Sequence, residues 1–278
     1  MQKFRYLITG TALVLAVANT ASTQSALVEL MARHGVQLQN RDFARAFDDG
    51  LAPSGPLSPG AFASPLALMT GGNTAERINA AYAFGILAGR SGRGTATLAE
   101  LAAAGQSLVV MLSSEDRRSR IAAARVIGRV FAPPIDTTTP KPAIPAGAVD
   151  ALFTMFNREE DVEQLAAMDA LGLLREASAA ASLTERYQFY RENKKRALAG
   201  GAIEALARIG HPSSVPVISQ LASDPWSGGE DATALAIAFA RERLLKDGSV
   251  AVIRNALNER QRGAQARGYL AELGASAP

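Results

Sequence analysis

The chain has 278 residues, of which 48% are hydrophobic and only 6% aromatic; that length suits one large domain or a linear array, and an interior drawn from Ala, Leu, Val and Ile favours helix over sheet. It has no cysteine, which excludes disulfides and lipid attachment through sulfur and leaves packing alone to hold the fold. The formal charge of +3 overstates its basic character: residues 1–18 hold Lys3 and Arg5 and no acid, and beyond them 27 basic side chains face 26 acidic ones, too even a balance for a nucleic-acid protein.

Lys3 and Arg5 precede the apolar run "YLITGTALVLAVA", and Ala16-Val17-Ala18 offers small residues for cleavage after Ala18. This is the pattern of a secretory signal peptide over 1–18, too short for a comfortable membrane span, with an uncleaved anchor as the alternative. Residues 19–72 read as N-terminal capping helices and a loop. "ALVELMARHG" and "RDFARAFDDG" have helical spacing, and "GLAPSGPLSPGAFASP" is a Pro/Gly/Ser stretch. Arg33-His34-Gly35 resembles the signature of histidine phosphatases, which would make His34 a phosphorylated nucleophile and Arg33 a phosphate clamp. That family continues with Arg and Pro where this chain has Gln37 and Gln39, and its parallel sheet finds no β-branched runs here. The same three residues suit a helix C-terminus, with the cations near the last carbonyls and Gly35 as a left-handed cap.

From residue 73 onward one pattern recurs. "INAAYAFGIL" contains Gly85, "IAAARVIGRV" Gly128, "LAAMDALGLL" Gly172 and "GGAIEALARI" Ala207, with a weaker copy, "TALAIAFARE", placing Ala240 there. The intervals are 43, 44, 35 and 33 residues, a spacing expected of a helical solenoid. Glycine costs about 1 kcal/mol in a helix interior relative to alanine, so its recurrence points to close helix–helix approach. Gly172→Leu should overpack such a contact, and Gly172→Ala should be mild or stabilising. An ordinary Ala-rich bundle is the bland alternative.

A second helix follows each of the first. "HPSSVPVISQLASD" is the clearest, with Val215, Ile218, Leu221 and Ala222 at helical spacing; "AGAVDALFTMFN" and "GSVAVIRNALNE" share the pattern, and "QRGAQARGYLAELG" closes the chain. Asn73 with Glu76, and Asn157 with Glu160, have capping-box spacing; Ser113 and Ser114 precede Glu115 and Asp116 similarly. "ENKKRALAGGAIEALARIGHPSSVPVISQLASD" resembles a HEAT repeat of the bacterial type related to phycocyanobilin lyases, over about residues 73–259, with His211 in place of the usual turn Asp. The resemblance implies an all-α fold: an α-solenoid of about five antiparallel helix pairs over 73–278, behind the N-terminal capping helices. "FAPPIDTTTPKPAIP" (131–145) would be a protruding loop kept extended by its prolines.

The function expected is an exported, periplasmic or secreted scaffold. It would bind an unidentified protein or peptide through the concave face formed by the second helices, without catalysis. Alignment of those helices sets Phe153 and Thr154, Thr184 and Glu185, Ser219 and Gln220, and Arg254 and Asn255 on that face, with Phe189 one turn beyond Glu185. Phe153 and Phe189 would be apolar anchors, unless neighbouring helices bury them, and Arg254 a partner for a carboxylate. Trp226, in the loop "DPWSGGED", is a further contact candidate, or a ring folded back on the array. The basic stretch "RRSRIAAARVIGR" (117–129) can align Arg118, Arg125 and Arg129 with Arg117 close by. Either it is a solvated outer face or, as in HEAT-like DNA-repair glycosylases, it lines a nucleic-acid groove. A cofactor lyase is the enzymatic alternative by fold analogy. His211 reads as a turn residue, with Ser213 or Ser214 capping the next helix. No cofactor motif is present, and two lone histidines make no metal site.

Overall fold

The computed structural model describes residues 39–50, 57, 60–88, 96–134, 142–229 and 231–275. The signal segment 1–18, Arg33-His34-Gly35 and residues 135–141 of the Pro-rich loop lie outside the described residues. Among those described there are thirteen α-helices, short 3-10 turns and no strand, so the protein is all-α. They fall into two compact units that divide between Val130 and Phe131, inside the stretch 73–278.

The first unit holds α1 (Asn40–Asp48), α2 (Ala63–Gly71), α3 (Thr74–Ala88), α4 (Leu98–Leu112) and α5 (Arg117–Val130). α3 is its centre: every residue from Ile78 to Ala88 is buried, and α1, α2 and α5 pack on it. Its start is the expected reciprocal cap: the Asn73 N–H donates to Glu76 Oε2 at 2.8 Å and the Glu76 N–H to Asn73 Oδ1 at 3.1 Å. α4 has the same device at Thr97 and Glu100, a capping box beyond those expected. At α5 the cap is neither serine but Asp116, whose carboxylate accepts from the Ser119 N–H at 2.9 Å. α1 buries Phe43, Ala46 and Phe47 at helical spacing. The Phe47 ring occupies the space beside Gly85, where a Cβ would lie 2.7 Å from Cε2; here the missing side chain makes room for an aromatic ring.

The second unit holds α6 (Ala148–Phe156), α7 (Asp161–Leu174), α8 (Ala180–Glu192), α9 (Arg196–Ile209), α10 (Val215–Gln220), α11 (Ala232–Leu245), α12 (Val250–Asn255) and α13 (Gly263–Leu273). α7 packs on α9 and α9 on α11; α6 lies against α7, α8 against α9, α10 and α12 against α11, and α13 against α11 and α12. Gly172 of α7 sits on α9, where a Cβ would come within 2.8 Å of the Ala205 Cα. Gly128 and Ala207 are buried in α5 and α9.

Several local expectations need correcting. Asn157 is the C-cap of α6, and α7 starts four residues later, behind the N-cap Glu160, which makes no side-chain cap bond. At the turn into α10 the His211 ring, not a serine, accepts from the Ser213 N–H at 3.3 Å, while Ser214 is buried. The core positions are Val217 and Ile218 of α10 and Leu221 of the 3-10 turn that follows; Val215 is 37% exposed and Ala222 is exposed. α7, α9 and α11 are each 14 residues long and end in left-handed caps at Arg175, Gly210 and Lys246. Matching those caps puts Arg243, not Ala240, level with Gly172 and Ala207. Arg243 there donates Nε–H to the Ala207 carbonyl at 2.9 Å, so a long side chain reaches back where the other helices place a small one.

Candidate functional site

All the expected partner-binding residues lie in the second unit, and helical periodicity decides which of them face water. α6 buries Leu152, Met155 and Phe156, α8 buries Leu183, Tyr187 and Tyr190, and Ile253 and Ala256 are the buried positions at α12. Spacings of three and four turn the positions between them outward. Thr154, Glu185, Ser219, Gln220, Arg254 and Asn255 are accordingly exposed. The two proposed anchors differ. Phe189 is 47% exposed, its ring edge-on to Tyr190 at 5.9 Å; Phe153 is half-buried. Thr184 is also half-buried, its hydroxyl donating to the Ala180 carbonyl at 2.9 Å. Among the described residues no hydrogen bond or ion pair joins one of these side chains to another.

Trp226 is half-buried on a 3-10 turn, Pro225–Gly228, whose start is capped by Asp224 accepting from the Trp226 N–H at 2.8 Å. The Arg191 guanidinium lies over its ring at 4.5 Å and that of Arg196 at 5.1 Å. Asp224 in turn pairs with Arg191 at 2.8 Å, and Asp231 pairs with Arg196. The hydrogen bond that Arg191 donates to Asp224 raises the Arg191 pKa above its ordinary value. Burial pushes the Asp231 carboxyl up, but the Ala234 N–H and Arg196 outweigh it and hold the group below the usual aspartate range. The ring is thus folded back and held by charged neighbours.

Arg196 and Asp231 also line a cavity of about 480 Å³ together with Gly200, Gly201, Glu204, Thr233 and Gln265. Behind Glu204 lies a charge cluster that no sequence motif announced. Arg208, its side chain only 10% exposed, contacts three carboxylates: Asp169 of α7 at 2.6 Å, Glu204 of its own helix at 2.7 Å and Glu272 of α13 at 2.9 Å. The Glu272 contact is forked, with Arg208 Nε–H also donating to Oε2 at 3.0 Å. Burial raises the Glu204 pKa above the ordinary glutamate value; Arg208 and Tyr269 oppose that, and Asp169 and Glu272 add to it. Burial also raises the Tyr269 pKa well above normal. The one available signal was Glu204 and Arg208, four residues apart inside an apolar helix.

The basic stretch of α5 is used inside the first unit. Arg125 pairs with Asp48 at 3.3 Å, and Arg129 donates to the Phe47 carbonyl at 2.6 Å with its guanidinium 4.2 Å from the Phe47 ring centroid. Arg118 pairs with Asp116 at 3.3 Å and remains exposed. The expected outer stripe is therefore partly a clasp that holds α1. Among the described residues, no group of three His, Cys, Asp or Glu side chains is placed to hold a metal ion, and no helix is long and apolar enough to cross a membrane.

These features define an all-helical protein with an exposed polar face on its short helices. No family model matches the chain, and no curated protein matches it. Among solved structures it is similar to a crystal structure of an engineered protein from the Northeast Structural Genomics Consortium, with 20% identity over 90% of this chain and 96% of that one and a TM-score of 0.36. A superposition this loose says nothing about fold or function.

Proposed function

We propose that the chain is an exported, non-catalytic HEAT-like scaffold whose second helices bind a protein or peptide. The successive packing of α7, α9 and α11, each with a shorter helix against it, supports reading the second unit as a stack of helix pairs; α3 and α5 with α4 support the same reading in the first. The signal-peptide pattern of residues 1–18 supports export. The observation that carries the binding assignment is the outward face of α6, α8, α10 and α12. Thr154, Glu185, Phe189, Gln220, Arg254 and Asn255 are exposed there, and the buried stripe of each helix lies elsewhere on it. An exposed phenylalanine amid polar groups is the composition of a contact anchor with a polar rim.

Site-specific photocrosslinking tests this. A photoreactive residue at position 189 or 220 should capture a protein in the native envelope fraction, and one at exposed Ala271 of α13 should not. Equal capture at all three positions, or capture at 271 alone, would overturn the assignment.

A further inference from the structure

We propose that Glu204, Arg208, Asp169 and Glu272 form a proton-operated latch that holds the last helix, α13, against α9 and loosens it as the medium becomes more alkaline. The geometry comes first. The backbone of α13 packs on α11 and α12, and its link to α9 runs through side chains. Glu272 forks onto Arg208. Tyr269 bridges toward Glu204 with its phenol, which accepts from Gln265 Nε2 at 2.7 Å. The guanidinium that receives Glu272 already contacts Asp169 and Glu204. Three partly exposed carboxylates from three helices therefore share one largely buried cation, so their charges act on one another at short range.

With Glu204 protonated, the three side chains Arg208, Asp169 and Glu272 sum to one negative charge. With Glu204 ionised the cluster gains a second, and the added charge repels Glu272, the group that belongs to α13. Two further cations lie nearby, but among the described residues neither forms an ion pair with Asp169, Glu204 or Glu272, whose shared partner is Arg208. Arg243 of α11 gives Nη1–H to the Glu272 main-chain carbonyl at 3.2 Å, and Arg175 at the end of α7 lies close enough to Arg243 to help lower its pKa, after burial. Arg208 stays charged, its pKa held well above the ordinary value by the carboxylates against the cost of burial. Tyr269 stays protonated, since burial pushes its pKa up. Glu204 is the carboxyl whose ionisation adds the second charge, and burial raises its folded-state value. A raised carboxyl contributes stability that is fully present below the unfolded pKa and is lost as pH rises through the folded one. The latch is therefore closed in acid. Its release is partial, because Tyr269 stacks on Phe239 of α11 at 4.2 Å and Ala266 and Leu270 remain buried there.

Amide hydrogen exchange across residues 263–273 of the full chain, followed against pH and corrected for intrinsic exchange, is the test. Protection of α13 should fall through one titration step, while α7 stays protected. Glu204→Gln should keep the acid-form protection at every pH. Asp169→Asn removes one repelling charge and should move the step down by roughly one pH unit, which decides the matter should Glu204→Gln fail to fold. Protection of α13 that does not vary with pH, a step that survives unchanged in Glu204→Gln, or an unmoved step in Asp169→Asn would each overturn the proposal.

Discussion

At Gly172 the obstacle to a side chain is backbone. An added Cβ would stand 2.8 Å from the Ala205 Cα and 3.1 Å from its Cβ, so nothing can swing aside. At Gly201, on the other helix of the same contact, the Cβ would meet the Leu165 Cδ2 at 2.8 Å and the Met168 Cε at 3.3 Å, both ends of flexible side chains. Alanine gains about 1 kcal/mol of helix propensity at either place, and overpacking costs about 1–3 kcal/mol where the surroundings cannot yield. Gly172→Ala should therefore be net destabilising and Gly201→Ala close to neutral or stabilising, read as opposite shifts in the urea midpoint. Both midpoints rising would mean that α7 and α9 can separate at little cost, and both falling that Leu165 and Met168 cannot move aside. The recurrence of glycine in the sequence announced close approach, but not that the partner atom is main chain, and so not that even a methyl group is excluded. The Arg208 cluster was less legible still. Asp169 and Glu272 lie 39 and 64 residues away from it in sequence, and only the packed helices bring them together.

Helices here stop by two different means at one geometrical position. α9 and α13 end on Gly210 and Gly274 with φ of 68° and 69°, whereas α11 ends on Lys246 at φ 55°. Left-handed backbone costs a side-chain-bearing residue about 1–2 kcal/mol, and glycine escapes that at some entropic cost of its own. Lys246 is exposed, so Lys246→Gly should stabilise the protein by roughly 0.5–1 kcal/mol, visible as a raised melting temperature; a lowered one would show that the lysine side chain is engaged at the turn. The same helix ends explain why parts of the fold are not legible in the sequence. Without a glycine to mark the end of α11, the sequence pattern alone aligns the last repeat three residues early, on Ala240. α2 was hidden because Pro65 looks like a loop residue, yet it stands in the first turn, where no intrahelical N–H bond is required. By contrast, the outward faces of α6, α8, α10 and α12 were legible, because alternation at spacings of three and four separates buried from exposed positions without knowledge of the neighbours.

For the whole molecule, the division between Val130 and Phe131 falls where the Pro-rich stretch 131–145 begins, and each unit contains its own ties. In the first, α1 is clasped by Arg125 and Arg129 of α5. In the second, α7, α9 and α11 pack in succession, Lys195 pairs with Asp161 at 3.0 Å, and Arg208 joins α7, α9 and α13. In arrays of helix pairs, stability is close to a sum of each unit's own packing and its contacts with neighbours, and about three stacked pairs suffice for a fold. On the proposed reading of the second unit as stacked helix pairs, residues 131–278 contain that number. Expressed alone, this segment should keep its helical circular dichroism and melt in a single cooperative transition. The cut leaves the Arg208 cluster and the exposed face of α6, α8, α10 and α12 intact, so a folded fragment would also show where the proposed binding and latch reside. A fragment that is unfolded or melts without cooperativity would mean that the first unit supplies packing that the second lacks, and that stability in this chain is shared across Val130.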